Sequence, residues 1–197
     1  MPENSGSPAI RGTTILALRH NGKTVVAGDG QVTLDKTIIK HTARKVRRIY
    51  KDRIIVGVAG ATADALNLSE RLESKLERYN GNLTRAAVDL AKDWRTDKYL
   101  RRLEALMITV DDEHMYLVSG SGDVIEPDKE VIGIGSGSVA AQAAALALME
   151  HSALDAVEIA REAMRIAATY CIYTNTQVTI EELNGRREGE KTENGHE

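Results

Sequence analysis

The first regular pattern of apolar and polar positions begins at Thr14, after a stretch that shows none. An apolar run from Ile15 to Leu18 is followed by Asn21-Gly22 and by a second β-prone run that ends near Gly28. Asn-Gly between two such runs is the strongest short-range signal for a β-hairpin. The pattern therefore predicts two antiparallel strands that end in a sharp turn at Asp29.

The same reading predicts further strands and helices along the chain. Runs rich in β-branched residues predict strands at 45–50, 53–59, 105–110, 115–118, 124–126, 131–135 and 177–180. Longer segments predict helices at 62–79, 82–102, 138–150 and 155–170. Asn82 can cap the second of these helices, and Asp155 with Glu158 forms a plausible capping box for the fourth. Residues 31–44 are interpreted as a polar loop.

The order of these elements predicts the fold class. Strands, two helices, strands, two helices and a last strand indicate an α+β protein with antiparallel sheets, stacked on each other with the helices outside. We expect residues 1–12 to form a disordered tail, because their composition gives nothing to pack. Residues 13–183 form the predicted domain, and the charged segment 184–197 is a second disordered tail.

Composition and charge limit the classes of function. A chain of 197 residues fits one domain, and a net charge of −3 argues against a general nucleic-acid binder. Cys171 is the only cysteine, so no intramolecular disulfide can form, which is typical of a reducing compartment. The sequence shows neither the ~18–20 apolar residues of a membrane span nor a secretory signal. We expect a cytoplasmic protein with no membrane partner.

Candidate chemistry begins at the Gly12-Thr13 bond, where the tail meets the fold. If that bond is cut, Thr13 carries a hydroxyl and a free α-amine, which is a recognised nucleophile–base pair. An α-amine titrates near ~7.7–8.0, close to the best value for a base at neutral pH. A threonine at the start of a strand is also common for purely structural reasons. The Gly-Thr pair alone leaves both interpretations open.

Asp29 and Lys45 are candidates for supporting such a nucleophile. Taken alone, Asp29 is a turn residue within Gly-Asp-Gly, and Lys45 belongs to a solvated basic run. In the functional interpretation, the charge of Lys45 lies near Thr13 and lowers the pKa of its amine, and Asp29 holds both in place. Their spacing in the sequence does not prove the contact.

Nucleotide and metal motifs are incomplete in this chain. The glycine-rich segment 133–138 lacks the third glycine of a dinucleotide fingerprint, and Lys23-Thr24 lacks the first glycine of a P-loop. The histidines show no metal-ligand spacing, and the basic residues near 44–48 and 101–102 lack the stacking aromatics of a nucleic-acid site. We expect no nucleotide and no nucleic acid to bind this chain, so any energy input must come from a partner.

Seven short motifs together carry a family resemblance. In this order and at these intervals they resemble the HslV family of bacterial peptidases, relatives of proteasome β-subunits, over about residues 13–183. The motifs are Thr13-Thr14-Ile15, Gly28-Asp29-Gly30-Gln31, Lys45-Val46-Arg47-Arg48, Ala59-Gly60-Ala61-Thr62-Ala63-Asp64, Ala91-Lys92-Asp93-Trp94-Arg95-Thr96-Asp97, Gly135-Ser136-Gly137 and Cys171-Ile172-Tyr173-Thr174-Asn175.

The resemblance implies an N-terminal nucleophile fold, a four-layer αββα sandwich, and a threonine endopeptidase whose nucleophile is exposed by loss of residues 1–12. Attack of the Thr13 hydroxyl on the Gly12 carbonyl is one route for that loss. It also implies roles for further residues. These are Asp29 and Lys45 as the supporting pair, Ser136 in the hydrogen-bond network of the amine, Gly60 as an oxyanion donor and Val58 in the pocket for the residue before the scissile bond.

The resemblance also implies ligands and partners. A monovalent cation, usually assigned as sodium, is bound in the family by backbone carbonyls at positions that fall on Ala168, Cys171 and Thr174. Position 168 is often glycine in the family. The implied assembly is a dodecamer of two stacked hexameric rings, activated by the hexameric ATPase HslU, that degrades unfolded proteins. The charged tail from residue 184 lies outside the resemblance.

Two other functions remain open at this point. One is a non-catalytic ring subunit that keeps residues 1–12, in which the Thr13 nitrogen is an amide and cannot act as a base. The other is an amidohydrolase of the same nucleophile class that acts on small amides. The mass of the mature chain separates the first from the peptidase, and protein substrates separate the second.

Overall fold

A computed structural model describes residues 10–11, 13–103 and 105–184. This part of the chain contains twelve strands, four α-helices and one 3₁₀ helix at Leu100–Arg102. The strands are β1 (Ile10–Arg11), β2 (Thr14–His20), β3 (Lys23–Asp29), β4 (Val32–Leu34), β5 (Thr37–Lys40), β6 (Val46–Ile49), β7 (Ile54–Ala59), β8 (Leu106–Val110), β9 (Met115–Ser119), β10 (Val124–Ile125), β11 (Val131–Gly135) and β12 (Val178–Asn184). The helices are α1 (Thr62–Arg78), α2 (Leu83–Thr96), α3 (Ser138–His151) and α4 (Ala156–Tyr170).

Two antiparallel sheets form the centre of the molecule. One has the strand order β11-β2-β3-β12, and the other has the order β10-β9-β8-β7-β6. Alternate residues of β2 point to opposite sides, so Ile15 and Ala17 pack between the two sheets, whereas Leu16 and Leu18 pack against α3 and α4. The outer face of the five-stranded sheet packs on α1 and α2 through a separate apolar cluster. The layers are therefore helix, sheet, sheet and helix, which confirms the predicted sandwich.

Local sequence signals account for several element ends. Asn21 and Gly22 both have positive φ, at 49° and 75°, as the tight turn between β2 and β3 requires. The Asn82 side chain accepts a hydrogen bond from the Arg85 N–H at the start of α2. Asp155 and Glu158 form the predicted capping box of α4. These three predictions are confirmed.

Two predicted boundaries and one predicted loop are wrong. Helix α2 ends at Thr96 rather than near residue 102, because the Asp97 carboxylate accepts the N–H groups of Tyr99 and Leu100 and starts a new turn. The predicted loop at 31–44 contains the hairpin of β4 and β5. Strand β12 continues to Asn184, beyond the predicted end at residue 180, since it pairs along the whole of β3.

The prediction that residues 1–12 form a disordered tail is wrong for two residues at the end of that segment. Ile10 and Arg11 form β1, which pairs antiparallel with β4 through Ile10–Leu34 and Arg11–Thr33. Backbone groups make this contact at an open sheet edge, so it does not require an apolar pattern in the tail. Residues 1–9 and 185–197 lie outside the described part of the chain, so the tail predictions made for them stay predictions.

Among the residues that the structure describes, none of the helices has the length and apolar character needed to cross a membrane.

Candidate active site

Thr13 directly precedes β2 and lies against the turn after β11. Its carbonyl accepts hydrogen bonds from the N–H of Ser136 at 2.8 Å and from the Ser136 Oγ at 3.3 Å. Gly135 precedes that turn with φ of +91°, and a Cβ at this position would lie 2.0 Å from the Thr13 carbonyl oxygen. The close approach of the two segments therefore depends on glycine at 135.

Asp29 is fully buried at the end of β3, and hydrogen bonds reach both of its carboxylate oxygens. Its Oδ1 accepts the Thr14 N–H at 2.7 Å and the Lys45 Nζ at 2.8 Å. Its Oδ2 accepts the N–H groups of Gln31 at 2.9 Å and Asn175 at 3.5 Å. One carboxylate oxygen thus joins the lysine to the residue directly after Thr13.

Lys45 precedes β6, and its side chain is only 8% exposed. Its ammonium donates to the Asp29 carboxylate and to the Gln31 carbonyl. Burial lowers the pKa of Lys45, and the charge and the hydrogen bond of Asp29 oppose that shift only in part. Through Asp29, this buried ammonium is connected to the backbone of Thr14, the residue directly after Thr13.

The side chain of Asn175 forms hydrogen bonds with the segment that carries Asp29 and with the segment that leads to Lys45. Its Oδ1 accepts the N–H of Gly30, directly after Asp29, at 3.1 Å. Its Nδ2 donates to the His41 carbonyl at 3.0 Å, in the segment that leads to Lys45. Asn175 therefore helps to hold Asp29 and Lys45 close to each other, in addition to the ion pair itself.

The side chain of Thr14 holds the start of β2 against two further segments. Its Oγ1 accepts the Gly137 N–H at 2.9 Å and lies 2.7 Å from the Oγ1 of Thr174. Both threonine side chains are buried. A Cβ at Gly137 would come within 2.5 Å of the Thr14 Oγ1 and 2.7 Å of the Thr174 Oγ1, so the turn after β11 fits against this pair only without a side chain.

A cavity of about 740 Å³ opens beside Thr13. It lies between the ends of β7, β9 and β11 and the segment around the 3₁₀ helix. Its lining combines apolar side chains with small polar residues. The described residues that line it are Thr13, Ala59, Gly60, Arg101, Leu103, Ala105, Leu106, Ser119, Gly120, Ser121, Gly135, Ser136 and Tyr173. The volume is within the ~300–1,000 Å³ usual for ligand pockets.

Comparison with known proteins gives the same fold and a family. The proteasome subunit profile matches residues 10–183. The chain is 60% identical over 174 residues to the ATP-dependent protease subunit HslV of Aquifex aeolicus, with 88% of this chain and 99% of the relative covered. It is 57% identical to the HslV subunit of Syntrophobacter fumaroxidans, with 90% and 99% covered. The chain belongs to the proteasome family, in its HslV branch.

Solved structures agree with this placement. The crystal structure of eukaryotic HslV from Trypanosoma brucei matches with a TM-score of 0.83 and 46% identity, covering 87% of this chain and 99% of that one. The Thiobacillus denitrificans BPH structure in complex with epoxomicin has a TM-score of 0.70 at 20% identity, with 88% and 100% covered. The second likeness shows the fold alone.

The structure brings most of the predicted HslV-type site residues to one place. Asp29 contacts Lys45 and the N–H of Thr14, Ser136 contacts the carbonyl of Thr13, and Gly60 lines the adjoining cavity. The Val58 N–H donates to the Lys45 carbonyl at 3.3 Å, while Val58 is 3% exposed and belongs to the apolar cluster under α1 and α2. The roles predicted for these residues stay predictions, and the pocket role of Val58 has no supporting contact among the described residues.

The three residues predicted to bind a cation lie at the C-terminal end of α4 and in the turn after it. Helix ends leave carbonyl groups without helical partners, which suits a carbonyl-bound ion. The Cys171 carbonyl already accepts the Thr174 N–H at 3.0 Å, and its second lone pair can still bind an ion. Ala168 is not among the residues with positive φ, so alanine fits where the family often has glycine.

Sequence reasoning assigned no role to three residues of this network: Thr14, Gln31 and Asn175. Each contacts the buried ion pair through a backbone group, and backbone contacts between distant segments leave no trace in local sequence patterns. The one available signal was position, since all three lie within the motifs that carry the HslV resemblance.

Proposed function

We propose that this protein is a threonine endopeptidase with Thr13 as its nucleophile, once residues 1–12 are removed. One observation carries the proposal. The buried carboxylate of Asp29 holds both the Lys45 ammonium and the backbone of Thr14, so a fixed charge pair lies at the residue next to Thr13, which itself lines a substrate-sized cavity. The HslV names of the relatives support the same activity.

Removal of residues 1–12 creates the base of the reaction. In the full chain the nitrogen of Thr13 is an amide, which cannot take a proton from the hydroxyl. Attack of the Thr13 Oγ on the Gly12 carbonyl, followed by hydrolysis of the resulting ester, releases the segment and frees the amine. The positive charge of Lys45 lowers the pKa of that amine, so more of it is unprotonated at neutral pH.

The reaction then follows the order expected for an activated hydroxyl. The amine of Thr13 accepts the hydroxyl proton, directly or through water, and Oγ attacks the peptide carbonyl. The Gly60 N–H stabilises the negative oxygen, which is usually the largest single contribution to catalysis of this kind. The amine protonates the leaving nitrogen, and water hydrolyses the acyl-enzyme. The two hydrogen bonds from Ser136 hold the backbone of Thr13 in place during these steps.

A monovalent cation at the carbonyls of Ala168, Cys171 and Thr174 would act on structure. A bound ion fixes the turn after α4, which carries the Thr174 hydroxyl that contacts Thr14. The same turn carries Asn175, which contacts the ion pair. We infer a positioning role for the ion, since the turn that it would hold contacts Thr14 and Asp29.

The physiological setting that we propose is an enclosed, ATP-dependent protease. The relatives are named ATP-dependent protease subunits, whereas this sequence shows no nucleotide motif. A separate HslU-type hexameric ATPase would unfold protein substrates and deliver them. Two stacked hexameric rings of this chain would confine the nucleophiles to an inner chamber of a cytoplasmic complex.

The mass of the mature protein and one pair of variants test the proposal. We expect a chain that begins at Thr13, and complete loss of peptide and casein hydrolysis in Thr13→Ala with the assembled ring retained. Thr13→Ser keeps the amine and a hydroxyl and should retain measurable activity. A fully active enzyme that still carries residues 1–12 would exclude the mechanism. Hydrolysis of small amides with no cleavage of casein, even with the ATPase and ATP, would favour the amidohydrolase.

A further inference from the structure

The cavity beside Thr13 contains one charged group among its described lining residues, Arg101. Its side chain is exposed, and no ion pair joins it to the described residues. The surrounding wall is apolar at Leu103 and Leu106 and carries hydroxyl groups at Ser119 and Ser121. A guanidinium in such a wall favours a carboxylate, since it presents a planar set of donors that matches two carboxylate oxygens.

The N-terminal segment indicates which part of a substrate reaches this cavity. In the cleavage of the Gly12-Thr13 bond, residues before Thr13 form the acyl side of the substrate. Ile10 and Arg11 of that acyl side pair with β4. The described residues that line the cavity include none from β4 or β5. The strand that pairs with the acyl side is therefore separate from the cavity lining.

We propose that this cavity binds the substrate residues that follow the scissile bond, and that Arg101 selects a carboxylate among them. The proposal rests on the threonine peptidase function proposed above, and it adds a preference on the leaving-group side. The carboxylate has two possible sources, an acidic side chain or the C-terminus of a short substrate. In either case Arg101 determines specificity and takes no part in bond breaking.

Internally quenched peptides with one constant acyl half provide the test. Each of the first three positions after the cleaved bond is set in turn to glutamate or glutamine, and mass spectrometry of the products verifies the cleaved bond. The mature enzyme is assayed with its ATPase partner at low salt. The measured quantity is the ratio of kcat/KM for glutamate over glutamine. Because a ratio within one preparation cancels the active fraction, partial loss of folding or assembly does not affect it.

We expect a ratio of about 5–30 at one of the three positions, as a charge-assisted hydrogen bond of ~1–2 kcal/mol gives at a partly exposed site. Arg101→Ala should bring the ratio to about 1, and Arg101→Glu should bring it below 1. Arg102→Ala is the matched control, because Arg102 is the adjacent arginine of the same 3₁₀ helix and is not among the lining residues. The ratio should also fall as salt is raised.

The two sources of the carboxylate are separated with amidated peptides. If the ratio is unchanged on amidation, a side chain is selected; if only free-acid peptides gain from Arg101, the C-terminus is bound. A ratio near 1 at all three positions with no gain from the free acid, or equal effects of Arg101→Ala and Arg102→Ala, would overturn the inference while leaving the peptidase intact. Failure to cleave any peptide would instead count against the proposed function itself.

Discussion

Replacement of Asp29 by asparagine is the most direct perturbation of the buried ion pair. The asparagine has nearly the same shape and keeps one oxygen. In Asp29 both carboxylate oxygens accept hydrogen bonds, one from Thr14 and Lys45 and the other from Gln31. The asparagine has an NH2 group in place of one oxygen, and that group cannot accept. In either orientation, its amide group faces at least one donor. The substitution therefore removes a charge and leaves a buried donor unpaired.

The burial of the ion pair sets the expected loss of stability. Breaking a buried pair by removing one partner costs about 3–5 kcal/mol, because the remaining charge is buried without compensation. That is a large part of the ~5–15 kcal/mol by which domains are stable. For a chain of this length each kcal/mol lowers Tm by roughly 2–4 °C, so Asp29→Asn should lower Tm by about 6–20 °C.

The pH dependence of this loss identifies its cause. Without Asp29, both influences that raise the pKa of Lys45 are gone, and burial lowers that pKa further. The folded variant then binds fewer protons than its unfolded chain, in which lysine titrates near ~10.4. Stability consequently rises with pH between the folded and the unfolded pKa values. We expect the Tm deficit of the variant to be largest at neutral pH and to shrink as the pH approaches 10.

Thermal denaturation at fixed protein concentration from pH 6 to pH 10 measures this deficit, since assembly makes Tm depend on concentration. Glu162→Gln is the control, because it neutralises an exposed partner of Arg165 and should not change Tm measurably. Asp29→Asn combined with Lys45→Met should recover part of the lost stability and no activity. A deficit independent of pH, or two substitutions whose effects simply add, would refute the coupling of the two residues.

Two further predictions concern the supports of the site. Gly135→Ala should reduce kcat/KM by at least about tenfold, because the new Cβ would lie 2.0 Å from the Thr13 carbonyl oxygen. Gly22→Ala is the control. Its φ is also positive, but a Cβ there would have nothing within 4 Å, so it should affect stability alone. Asn175→Ala should move the acid limb of the kcat–pH profile to higher pH, since a displaced ammonium no longer lowers the pKa of the nucleophile's amine. Asn82→Ala, which removes a helix cap worth ~1 kcal/mol, should leave that limb unchanged; a shift in both variants would contradict a positioning role.

Sequence patterns predicted those parts of the fold that local chemistry determines. Asn21-Gly22 fixed the turn of one hairpin, and the apolar runs on either side of it predicted the two central strands. Strand β5 was missed because all four of its residues, Thr37–Lys40, are exposed, so no alternation of apolar and polar positions marks it. The end of α2 was missed because the side chain of Asp97 terminates the helix inside an otherwise helical pattern.

The candidate site was predicted unevenly for a related reason. The sequence order and the family resemblance pointed to Thr13, Asp29 and Lys45, and the structure places Asp29 against Lys45 and against the residue after Thr13. Asn175 acts across 145 positions on Gly30, a contact that no local pattern records. In the sequence, Arg101 is one of two adjacent arginines without the aromatics of a nucleic-acid site, and only the packing of the 3₁₀ helix beside the cavity gives it a position relative to Thr13.

The burial of the ion pair between Asp29 and Lys45 bears on whether the pair serves stability or chemistry. Asp29 is fully buried and the side chain of Lys45 is 8% exposed, yet a buried ion pair often stabilises a protein no better than apolar residues of similar volume would. The sheets around it show how easily apolar side chains fill this interior, since Ile15, Val26 and Val46 pack there with no exposure. A charge pair retained among them, with the pKa of the lysine lowered by burial, is therefore better explained by the chemistry of the adjacent Thr13 than by stability.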